Sequence, residues 1–72
     1  MSASEVMAAA RKFLQDDAGF SRVNILSVVA VEPDSKWKIV ASVEGSPTNK
    51  KELIADDKDG KIVSYRDAGY ST

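Results

Sequence analysis

The sequence predicts an α+β fold: one N-terminal helix packed on a four-stranded antiparallel meander sheet. Three observations carry that prediction. Apolar residues recur at helical spacing before Gly19, and β-branched or alternating runs replace them afterwards. Turn-forming clusters separate those runs. At 72 residues the chain is read as a single domain over 1–72.

The helix is expected from about Ala3 to Ala18. Ser2 and Glu5 have the spacing of a capping box, in which the serine hydroxyl accepts from the Glu5 amide and the carboxylate reaches back. Val6, Met7, Ala10, Phe13 and Leu14 form one apolar stripe, with Glu5, Arg11, Lys12 and Asp16 mostly on the other side. Gly19 supplies a left-handed terminus, and Phe20 folds back onto Leu14. The first strand is expected over Arg22 to Val31, followed by a turn at Glu32-Pro33-Asp34-Ser35. Trp37, Ile39, Ala41 and Val43 alternate with Lys38, Ser42 and Glu44 as a half-buried second strand. Gly45-Ser46-Pro47-Thr48-Asn49 reads as a loop, and Glu52–Asp57 and Lys61–Arg66 as the last two strands.

Composition excludes several chemistries. There is no cysteine and no histidine, so disulfides, thiolate metal sites, imidazole ligands and the commonest general base are absent. Eleven acidic residues against ten basic ones leave no basic surplus for nucleic acid. The Trp37, Tyr65 and Tyr70 rings are therefore not read as a base-stacking platform. The start of the chain lacks the apolar core of a signal peptide, and the longest apolar stretch, Ile25 to Val31, is too short to span a bilayer. The expectation is a cytoplasmic protein without membrane insertion.

The stretch Ala55-Asp56-Asp57-Lys58-Asp59-Gly60 invites comparison with a calcium loop. With Gly60 at the sixth position of an EF-hand, Ala55 falls first and Arg66 twelfth, where an acid and a bidentate glutamate are required. A hairpin turn, with Gly60 taking positive φ, explains the same residues. Ser35-Lys36-Trp37-Lys38 has the S-x-x-K spacing of serine–lysine acyl enzymes, but at a turn entering a strand the two side chains diverge. No catalytic residue, metal ligand or cofactor is assigned, and the protein is read as a non-enzyme.

The first strand carries apolar residues on both sides. Strict alternation sends Val23, Ile25, Val29 and Val31 one way and Leu26, Val28 and Ala30 the other. One helix covers one face, so an apolar patch remains on the other. Its expected members are Leu26, Val28, Val40, Val63 and Tyr65, and exposed patches of that kind mark partner surfaces. The expected partner is another protein or a second copy, bound through the sheet face away from the helix.

Lys36-Trp37-Lys38-Ile39-Val40-Ala41-Ser42-Val43-Glu44, Glu52-Leu53-Ile54-Ala55-Asp56, Gly60-Lys61-Ile62-Val63-Ser64-Tyr65-Arg66 and Tyr70 resemble the gas vesicle protein O family. That family has a tryptophan-led strand ending in valine–glutamate, a strand closing on aspartate before a glycine turn, a strand ending in tyrosine–arginine, and a late tyrosine. The chain departs from it at 45–49, where the family has an arginine–proline segment, at Lys51 in place of tyrosine, and in a tail that is not arginine-rich. The resemblance implies an accessory protein of gas vesicle formation that acts by protein contacts. The helix-then-sheet layout is also similar to PepSY-type modules, which bind or inhibit partners such as a protease or peptide.

Overall fold

The computed structural model describes residues 1–31 and 35–68, apart from the Pro47 side chain. It has the expected α+β arrangement. Helix α1 (Ala3–Lys12) runs into a π-wound turn over Phe13–Asp17, and four strands follow: β1 (Val23–Val31), β2 (Lys36–Val43), β3 (Ser46–Asp56) and β4 (Ile62–Asp67). Neighbours in the chain are neighbours in the sheet, all antiparallel, so β1 and β4 form its two edges. Of the expected β1–β2 turn only Ser35 lies within the described residues, and Tyr70 lies outside them.

The helix begins and ends as its sequence dictates. Ser2 Oγ accepts from the Glu5 amide at 3.3 Å, and Glu5 Oε1 accepts from the Ser2 amide at 2.9 Å. At the other end Gly19 takes φ +81°, and the Phe20 amide donates to the Leu14 carbonyl at 2.9 Å. Val6, Ala10 and Leu14, spaced by one turn each, are fully buried. They meet Ile39, Ala41, Leu53 and Ala55, the inward residues of the two central strands. Three of these seven contacts are alanines, which let the helix lie close on the sheet. Phe13 and Phe20 close the sides of this core, the former edge-on to Tyr65 with ring centroids 5.3 Å apart.

Three expectations about the strands change. The loop at 45–49 is largely strand. Glu44 and Gly45 both take positive φ (55° and 71°), so the hairpin closes in two residues as a primed turn, and β3 starts at Ser46. Glu44 is held there because its Oε1 accepts from the amides of Ser21 and Arg22, while its own amide donates to the Arg22 carbonyl. The residues that read as loop sit in a register irregularity: Val43 lies opposite Ser46, but Ser42 opposite Lys50.

The second change concerns β1. Ile25 lies opposite Ala41 and Ser27 opposite Val40, which leaves Leu26 without a partner. This bulge resets the alternation. Val28 lies opposite buried Ile39 and packs against the core, on the helix side and not the open side. Val29 and Val31 pass to the open face instead. The third change is Tyr65. It lies opposite buried Leu53 and contacts Phe13, so it too belongs to the helix side.

Leu53 is fully buried in β3, whereas Leu26 is 47 % exposed at the bulge. Leu53→Ala should therefore destabilise by about 2–5 kcal/mol through lost burial and a cavity. Leu26→Ala should stay within about 0.5 kcal/mol. Urea unfolding followed by circular dichroism checks both, and similar costs at the two positions would contradict this division of the sheet.

Candidate functional site

Residues directly opposite one another in an antiparallel ladder share a face, so the register defines what lies away from the helix. One row is Asn24, Ser42 and Lys50. The next is Ser27, Val40, Glu52 and Arg66. A third is Val29, Lys38, Ile54 and Ser64, and a fourth is Val31, Lys36 and Asp56. Val40 stands diagonally between Val29 and Ile54, which makes a small apolar centre. Charges flank it on β2, β3 and β4, whereas β1 contributes none. Arg66 Nη2 lies 3.0 Å from Glu52 Oε2, and Lys36 Nζ 3.7 Å from Asp56 Oδ2. Four cations (Lys36, Lys38, Lys50, Arg66) stand on this face against two carboxylates (Glu52, Asp56), in a chain whose net charge is −1.

The five residues expected on the open face are thus divided. Val40 is there. Leu26 and Val63 are exposed at bulges, Val63 being the β4 residue without a partner between Ile62 and Ser64. Val28 and Tyr65 are on the helix side. Sequence reasoning missed Val29 and Ile54. The alternation of Leu53 and Ala55 around Ile54 was a usable signal for the latter, whereas the position of Val29 depends on a bulge that nothing in the residue pattern announces.

The aspartate–glycine stretch is a turn. The Asp56 amide donates to the Lys61 carbonyl, the Gly60 amide to the Asp56 carbonyl, and Gly60 takes φ +71°. Each aspartate is engaged by the fold. Asp56 Oδ1 accepts from the Lys58 amide and Asp59 Oδ1 from the Lys61 amide. Asp57 Oδ1 accepts from the Trp37 indole at 2.6 Å and from the Met1 amino group at 3.3 Å. Asp57 therefore ties β2, the β3–β4 turn and the start of the helix together. A Cβ on Gly60 would come within 2.6 Å of Met1 Sδ, the far end of a flexible side chain that can move aside, so it is the positive φ that calls for glycine. Among the described residues no group of three or more acidic side chains is placed to hold a metal.

A groove of about 450 Å³ lies between the helix and the start of β4, with Phe13 and Ile62 as its floor and Lys12, Asp16, Asp17 and Lys61 at its rim. Lys12 and Asp16 pair across one turn at 3.4 Å, both well exposed, which is worth a few tenths of a kcal/mol. Among the described residues no helix is long and apolar enough to cross a membrane. Comparison with family models, with curated proteins and with solved structures finds no match.

The indole hydrogen bond, and after it the bond from the Met1 amino group, hold the Asp57 carboxyl below its ordinary range. Its bonds to the Ser2 amide and then to the Ser2 hydroxyl do the same for Glu5. A carboxyl whose folded pKa is depressed contributes stability that is full above the unfolded value, about 4, and is lost as pH falls through the folded value. The thermal midpoint should be flat near neutrality and fall as pH drops below about 4. Asp57→Asn should shallow that acid limb. An identical limb in the variant would show that the Trp37–Asp57 bond does not report on folding.

Proposed function

We propose that this protein is a non-enzymatic interaction module that binds a protein partner through the sheet face away from its helix. The observation that carries this reading is one-sided cover. The helix lies over Ile39, Ala41, Leu53 and Ala55, while Val29, Val40 and Ile54 share the opposite face, flanked by charges on β2, β3 and β4. An apolar centre with a polar rim is the anatomy of a protein interface. The excess of cations on that face suits a partner whose surface is apolar at its middle and acidic around it.

The likeness to gas vesicle protein O gives this module its biological setting: an accessory protein acting on vesicle shell or assembly proteins in the cytoplasm. The segments that carry the likeness, Lys36–Glu44, Glu52–Asp56 and Gly60–Arg66, fall mainly on β2, the second half of β3, and the turn with β4, the three parts that build most of the open face. The second reading is a PepSY-like regulatory or inhibitory module that takes a protease or peptide. It is favoured by a helix-then-sheet layout with free strand edges, where an extended peptide adds by backbone hydrogen bonding.

Affinity capture from the native cell, with Val40→Lys as the matched bait, tests both. Vesicle shell or assembly proteins retained by the unchanged chain and lost by the variant support the first reading, and a protease supports the second. Capture that Val40→Lys leaves undiminished, with both baits folded by circular dichroism, would remove the open face from the function.

A further inference from the structure

The open face carries more cations than its own acids balance. Arg66 is paired with Glu52, and Lys36 with Asp56. Lys38 and Lys50 stand on the same face, and neither has an ion-pair partner among the described residues. Lys38 lies opposite Ile54 and Lys50 opposite Ser42. Four positions of β2 separate those two rows, which is about 14 Å at roughly 3.4 Å per residue. Val40 and Glu52 face one another in the row between. Val40 and Ile54 are half-buried, and Val29 is 54 % exposed.

We propose that this face binds an acidic amphipathic helix of a different protein, laid over β2 and β3 as α1 is laid over their other side. Its carboxylates meet Lys38 and Lys50, and its apolar residues between them meet Val29, Val40 and Ile54. The proposal rests on the open-face reading and narrows it to one class of partner. Charge, backbone and width each select that occupant. A second copy offering the same face would set two unbalanced cations against two more, so self-association through this face is opposed. An extended segment lying across a sheet face, away from the strand edges, finds no partners for its backbone N–H and C=O groups, whereas a helix bonds its own. The width is that of one helix. Lys38, Val40, Lys50 and Ile54 all belong to β2 and β3, the two strands whose inward residues a single helical stripe already covers. Acids about eight residues apart on a helix span roughly 12 Å at 1.5 Å per residue, a distance that suits the two lysines.

The probe is a synthetic alanine-based helical peptide of about 18 residues, with one stripe of leucines and two glutamates about eight residues apart on that stripe. Titrated into the full chain and followed by NMR, it should shift the Val29, Val40 and Ile54 amides saturably. The same peptide with glutamine for glutamate should bind at least about tenfold more weakly, and so should the glutamate peptide on the Lys38→Glu/Lys50→Glu double variant, folded by circular dichroism. A central proline in the peptide, which breaks the helix and keeps the charges, should also weaken binding at least about tenfold. No binding, or shifts confined to other surfaces, overturns the proposal. Equal binding of the glutamine peptide, or of the proline peptide, overturns it too. If Val40→Lys abolishes that equal binding, the open face still binds and only the acidic helix is lost. A dimer in sedimentation that Val40→Lys dissolves would likewise keep the open face and make its occupant a second copy. Binding that Val40→Lys leaves undiminished would remove the open-face reading itself.

Discussion

One short helix covers one side of one sheet, and the rest of the structure follows from that arithmetic of surfaces. Val6, Ala10 and Leu14 give the helix a single narrow stripe. It is wide enough for the two central strands, whose inward residues alternate Ile39, Ala41 and Leu53, Ala55. The edge strands receive only partial cover, from Phe13 and Phe20 at the flanks of the helix and from Val23, Ile25, Val28 and Ile62 of the sheet itself. The molecule is 17 Å deep along its thinnest axis, which is one helix layer on one sheet layer, with layers packing at about 10 Å. Among the described residues no second layer lies over the other face.

The residue pattern showed the fold more clearly than it showed the face. Capping chemistry at Ser2 and Glu5, the stripe ending at Leu14, Gly19, and the alternation from Trp37 to Val43 each correspond to what forms, because each is a local signal that tertiary packing reinforces. The open face was less legible because alternation counts residues, whereas bulges insert one. Leu26 in β1 and Val63 in β4 each take a place in the sequence without taking a place in the ladder. A single inserted residue exchanges the faces of everything beyond it. Val28 and Tyr65 were assigned by counting, and both lie on the other side. The segment at 45–49 misled for a different reason. Glycine, proline and small polar residues are good loop formers, but Glu44, fixed by the Ser21 and Arg22 amides, turns the chain one step earlier than they suggest.

Register in such a sheet needs more than a buried face, since a slip of two residues keeps every side chain on its own side. The charges remove that freedom. Three ion pairs join residues directly opposite in the ladder: Lys36 with Asp56, Lys51 with Asp67, and Glu52 with Arg66. Exposed pairs of this kind are worth well under about 1 kcal/mol each, so they contribute little to overall stability. Their value lies in comparison with the alternatives. Slipping β3 against β4 by two residues sets Glu52 opposite Ser64 or Ala68 and dissolves two pairs together. Slipping β2 against β3 sets Lys36 opposite Ile54 in one direction and opposite Lys58 in the other, where like charges meet.

On the proposed reading, the same pairs would shape what the open face binds. A partner that buried Glu52 and Arg66 together would move a pair already hydrogen-bonded at 3.0 Å, which costs far less than burying either charge alone. Lys38 sits differently. It lies in the row between Val29 and Ile54 and is exposed, with half-buried Trp37 and buried Ile39 beside it in the chain, so an ammonium group shares the open face with the apolar centre. A purely apolar partner covering Val29, Val40 and Ile54 would trap that ammonium without compensation. A partner that places a carboxylate over Lys38 and aliphatic groups on either side of it meets both requirements. The demand for apolar contact and the demand for an acid therefore fall on one patch of the partner, and that coincidence, more than the extent of apolar surface, is what would let this face select its partner.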